Sequence, residues 1–83
     1  MIRVAVDISL YPLDKNFIPP ISDFISRLNE HSSLTVITNT MSTQIKGEYD
    51  VVMGILNKEM KETFENHAKA VFAIKILNNP ISD

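Results

Sequence analysis

Two short polar segments hold most of the groups with which this chain could grip a small molecule. One is Ser9-Leu10-Tyr11-Pro12-Leu13, and the other runs Thr38-Asn39-Thr40-Met41-Ser42-Thr43. Hydroxyls and amides donate and accept hydrogen bonds in fixed directions, which suits recognition of a flat polar ring. Leu10, Leu13, Phe17 and Met41 lie among or near them, and ligand pockets are commonly apolar walls with a few placed polar groups. Ser9, Tyr11, Thr38, Asn39, Met41, Ser42 and Thr43 are therefore the candidate ligand contacts. Plain turn chemistry is the competing reading, because Thr favours strands while Asn, Ser and Thr favour turns. Composition leaves both open.

Asp7 is an eighth candidate. It is the one acid on the first strand, as Lys75 is the one charge on the fourth. Neighbouring strands would make them a cross-strand ion pair. The functional alternative makes Asp7 the counter-ion of a cationic ligand.

Residue types for catalysis are sparse. His31 and His67 each follow a helical stretch, where an imidazolium suits the helix C-terminus, so both read as surface or capping residues. Neither has a carboxylate or Cys partner nearby in sequence that suggests a triad or a metal site. The chain has no cysteine, and no His or carboxylate spacing suggests a metal site. Small acyl-phosphate hydrolases of related topology need an arginine after the first strand, and Tyr11 to Ile18 contains none. No enzyme activity and no cofactor are expected.

The remaining composition narrows the class further. The chain has 83 residues and a net charge of −2 with charges interspersed, and Arg3 and Arg27 are its only arginines. A nucleic-acid binder ordinarily shows a basic stripe. RNA-binding sheets also stack bases on aromatic residues of their central strands, and the first and third strands here have none before Tyr11 and Tyr49. No run nears the roughly 18 apolar residues of a membrane span. A single cytoplasmic domain over residues 1–83, touching neither membrane nor nucleic acid, is the expectation.

The elements that must position the polar segments follow from periodicity. Ile2, Val4, Val6, Ile8 and Leu10 alternate with Arg3, Ala5, Asp7 and Ser9, predicting a strand buried on one face. Pro19 and Pro20 fit a first helical turn. Ile21, Phe24, Ile25 and Leu28 then recur on one helical face up to about His31. Leu34 to Thr38 and Ser42 to Glu48 read as a hairpin. Asp50 is the expected N-cap of a second helix, with Val52, Ile55, Leu56, Met60 and Phe64 inward. Gly54 costs that helix roughly 1 kcal/mol against Ala, which suggests a neighbour packed closely there. Ala70 to Leu77 is a fourth strand, stopped by Asn78-Asn79-Pro80.

The order β-α-β-β-α-β with right-handed crossovers predicts an α+β, ferredoxin-like sandwich. Its antiparallel sheet has order 4-1-3-2, with both helices on one face. That topology brings the exit of the first strand beside the turn between the second and third. The bare sheet face would carry Ala5, Ser9, Ile37, Val71, Ala73 and Leu77. Such a face, or an open strand edge, invites a second copy, so a dimer or tetramer is expected.

Ser9-Leu10-Tyr11-Pro12-Leu13, followed by Thr40-Met41-Ser42-Thr43 and Ile45-Lys46-Gly47, resembles the YkoF-like proteins that bind thiamine or hydroxymethylpyrimidine. The similarity in element order covers nearly the whole chain. The resemblance implies an oligomeric, ferredoxin-like protein that carries or salvages thiamine or its pyrimidine without transforming it. It also implies Ser9, Tyr11, Ser42 and Thr43 as the matched ligand positions. Family members often continue past the fourth strand into a further helix, so the end at Asp83 is expected to affect pocket closure and subunit pairing. A regulatory or interaction module without a small-molecule ligand is the alternative.

Overall fold

Strict alternation in the first strand sets the layers of the molecule. In the computed structural model, which describes residues 1–81, Val4, Val6, Ile8 and Leu10 are buried while Arg3 and Tyr11 on the other side are exposed. The elements are β1 (Arg3–Pro12), α1 (Ile18–Asn29), β2 (Thr35–Thr38), β3 (Thr43–Glu48), α2 (Tyr49–Asn66) and β4 (Ala70–Asn78). The expectation placed on Asp83 lies outside the described residues.

The strands form one antiparallel sheet ordered β2-β3-β1-β4. This is the ferredoxin-like arrangement expected from the element order. Both helices cover the face that carries Val4, Val6, Ile8 and Ile45, and Phe24, Leu28, Leu34, Val52 and Leu56 complete the core. Gly47 lets the strand pack closely here. A Cβ there would meet Val52 Cγ2 at 3.1 Å and Leu34 Cδ2 at 3.5 Å.

Four expectations are corrected. Asp50 does not cap α2; Glu48, still extended at ψ 140°, is the N-cap, and its carboxylate accepts from the Asp50 N–H at 2.6 Å. The helix begins two residues earlier than expected, so Asp50 falls in its first turn, where a carboxylate also suits the dipole. Gly54 has no close neighbour, since a Cβ would meet nothing within 4 Å. Phe64 is half exposed rather than inward, with its ring edge-on to Phe72 at 5.4 Å. The inner stripe of α2 instead runs Val52, Leu56, Glu59, Thr63. The fourth correction concerns His31 and is taken up with the buried network below.

The helices do not reach all of β4. Ile74 and Ile76 pair with Ile8 and Val6, so they point to the covered side of the sheet, yet both are exposed. Val71 and Leu77 are exposed on the opposite face, and among the described residues no strand lies along the outer edge of β4.

Candidate functional site

Unequal strand pairing opens a gap at one end of the sheet. β4 accompanies β1 as far as Pro12, whereas β3 leaves it after Ile8, which is paired with Thr43. From Ser9 onward, β1 therefore has a strand on one side only. The β2–β3 turn stands across the gap, and the start of α1 closes a third side. A cavity of about 510 Å³ fills this space, within the usual range of roughly 300–1,000 Å³ for small-molecule sites.

Its walls are mainly Ile8, Leu10, Pro12, Leu13, Phe17, Ile21, Phe24, Ile25 and Met41. Seven of the eight sequence-predicted contacts also line it: Ser9, Tyr11, Thr38, Asn39, Met41, Ser42 and Thr43. Thr43 is 5 % exposed and Met41 84 %, so the lining runs from the core to open solvent. Asp7 stands apart. It borders a shallower groove with Gln44, Lys75 and Leu77, but its carboxylate accepts a hydrogen bond from the Ser42 hydroxyl. Its other oxygen lies 3.6 Å from the Lys75 ammonium, its register partner on β4. The cross-strand ion pair is therefore present, and Asp7 reaches the cavity through Ser42.

Several polar groups at the rim are already engaged. Asn39 Oδ1 accepts from the backbone N–H groups of Met41 and Ser42, each at 3.0 Å, and its own N–H donates to the Ser42 carbonyl. This is the turn chemistry that keeps the loop in place. Thr38 and Thr43 share a hydrogen bond at 3.1 Å, and the Ser9 hydroxyl donates to the Met41 carbonyl over a long 3.4 Å. The last contact bridges the gap directly. Hydrogen bonds made inside the turn leave the amide N–H groups of the Asn39 side chain, the Thr40 hydroxyl, one proton of the Thr38–Thr43 pair and the Tyr11 phenol able to turn toward a ligand.

The lining offers hydroxyls, an amide and apolar walls. It contains no His, Asp, Glu, Lys or Arg. No set of three or more metal-binding side chains occurs among the described residues. Pro19 and Pro20 in the first turn of α1 supply no N–H, and Phe17 at its N-cap offers no side-chain acceptor. That terminus is a poorer anion cradle than most.

Residues 6–80 match the family model described as thiamine-binding protein. The chain belongs to that family. No curated protein sequence matches it. Among solved structures, one of a Streptococcus pneumoniae protein is similar at 21% identity and a TM-score of 0.87, covering 95% of this chain and 89% of that one. A hypothetical protein from Methanocaldococcus jannaschii is similar at 20% identity and a TM-score of 0.82, with 100% and 87% covered. A Thermotoga maritima protein, assigned provisionally to thiamine biosynthesis or salvage, is similar at 16% identity and a TM-score of 0.81, with 89% and 81% covered. Likeness at these identities shows a shared fold.

Away from the cavity, a buried charge network joins the two helices. Arg27 Nη1 donates to Glu59 Oε1 at 2.7 Å and to the Glu59 carbonyl at 2.9 Å, while Nη2 donates to Thr63 Oγ1 at 2.7 Å. Its Nε lies 2.9 Å from Asp23 and 3.2 Å from Glu62. His31 Nε2 is 2.7 Å from Glu59 Oε2. Here the His31 expectation is corrected, because its carboxylate partner comes from the other helix and is distant in sequence. Burial pushes the Glu59 carboxyl up, but hydrogen bonds from His31 and Arg27 outweigh it and hold the group below the ordinary carboxylate range. Glu59 is thus ionised, and the His31 Nε2–H donates to it. The sequence carried one usable signal: Glu59 and Thr63 continue the Val52–Leu56 spacing on the apolar face of α2.

Proposed function

We propose that this protein binds thiamine, or its hydroxymethylpyrimidine precursor, in the cavity beside Ser9–Leu13, without a cofactor and without transforming it. The observation carrying this reading is that Tyr11 and Ser42, from separate segments, line one cavity in a chain of the thiamine-binding family. A flat aminopyrimidine would lie against Leu13 and Met41 and use the hydroxyl and amide groups at the rim. The cationic thiazolium would meet the aromatic faces of Tyr11 or Phe17. A lining without cations, beside a helix start blunted by prolines, favours the unphosphorylated vitamin. The absence of an acid or base from that lining supports carriage rather than turnover.

The protein acts in this reading as a small homo-oligomer in the cytoplasm. Exposed Ile74, Ile76, Val71 and Leu77 beside the free edge of β4 support self-association. No helix among the described residues is long and apolar enough to cross a membrane. Light scattering tests the assembly, and a strict monomer at high concentration removes it.

A ligand-free interaction module is the second reading, favoured by the way Asn39 spends its carbonyl oxygen on its own turn. Calorimetric titration separates the two. Thiamine binding that weakens in Tyr11→Ala supports the site, and no heat at millimolar thiamine removes it.

A further inference from the structure

The Ser42 hydroxyl gives its only proton to Asp7. A carboxylate accepts and cannot donate, so the direction of this hydrogen bond is fixed. Ser42 lines the cavity while Asp7 lies outside it. What Ser42 offers a ligand is therefore lone pairs alone. Ser9 is set the same way, more weakly, by its donation to the Met41 carbonyl. The Lys75 ammonium lies 3.6 Å from the far Asp7 oxygen, a surface pair that contributes little.

We propose that the Asp7–Ser42 pair makes this part of the cavity rim a hydrogen-bond acceptor, so the site selects a ring bearing an exocyclic amine over its oxo counterpart. Asp7 is a positioning residue that acts through Ser42 without touching the ligand. The inference rests on the proposed ligand site and specifies the chemical class that the site prefers. An amine hydrogen would complete the relay from ligand to Ser42 to Asp7. A ring carbonyl in the same place would set oxygen lone pairs against oxygen lone pairs, leaving both unpaired. Such a mismatch commonly costs about tenfold or more in affinity.

The test titrates 4-amino-5-hydroxymethyl-2-methylpyrimidine and its 4-oxo analogue into the whole protein, followed by calorimetry. The amine is expected to bind at least about tenfold more tightly. Asp7→Asn supplies an amide that can donate to Ser42, releasing the serine proton toward the cavity. In that variant the amino-to-oxo ratio is expected to collapse toward one. Lys75→Met, which leaves the Asp7–Ser42 bond in place, is expected to keep it. A loss of affinity for both rings with an unchanged ratio would mark Asp7 as merely structural and overturn the inference. Equal binding of the two rings by the natural protein, or preference for the oxo ring, would overturn it while leaving the ligand site standing. No heat from either ring would remove the site and the inference together.

Discussion

Both the helix–helix seam and the strand-end cavity concentrate polar side chains, but they dispose of them in opposite ways. In the seam, Arg27, Glu59, His31 and Thr63 satisfy one another, and no buried side-chain polar atom among the described residues lacks a partner. Around the cavity, the polar groups are tied into their own turn on one side and face open space on the other. Polar residues that finish their bonding within the protein fix its geometry. Those with bonding capacity left over are where the proposed ligand would attach. Stability and binding should accordingly separate by region.

Removing Arg27 should have the largest effect. Arg27→Met leaves Glu59 buried with one fewer partner and is expected to cost about 3–5 kcal/mol, read as a lower urea midpoint. Thiamine affinity should hardly change in whatever fraction remains folded. If the variant binds far more weakly while unfolding normally, the two regions are not separate.

Acid should find the same seam. The folded Glu59 carboxyl sits below its ordinary value of 4.5, so its contribution is fully present above that pH and is lost as pH falls through the lowered folded value. Urea midpoints should drop on the acid side of pH 4.5. Glu59→Gln, less stable at neutrality, should show a shallower decline, and an identical slope in both proteins would contradict the assignment.

Tyr11→Ala acts on the other region. Its exposed ring is expected to contribute about 1–2 kcal/mol to binding a flat cation, a weakening that calorimetry would resolve, with a denaturation midpoint close to the natural one. Smallest is Gly54→Ala, in an open helical position touching neither region. It should raise stability by roughly 0.8–1 kcal/mol and leave thiamine affinity alone.

The layers and the shared rim were legible in the sequence for physical reasons. Alternation from Ile2 to Leu10 names the buried face of β1, and the element order dictates which loops meet at which end of the sheet. That was enough to bring Ser9–Leu13 beside Asn39–Thr43. Alternation cannot say how far the helices extend over the sheet, so the exposure of Ile74 and Ile76 went unseen. Nor can it say where β3 parts from β1, the detail that opens the cavity. The Arg27–Glu59–His31 contacts depend on how each helix is turned about its axis. Sequence spacing gives no sign that His31 pairs with Glu59, 28 residues away. Glu48 displaced Asp50 as cap because a helix start is set only to within one or two residues by pattern, and both positions hold an acid.

Backbone amide NMR with added thiamine tests the central claim most directly in a 9.4 kDa chain. Shifts concentrated at Ser9–Leu13 and Thr38–Thr43, with Arg27, Glu59 and Thr63 unmoved, are the predicted result. Shifts confined to any other part of the sheet, or none at millimolar thiamine, would contradict it.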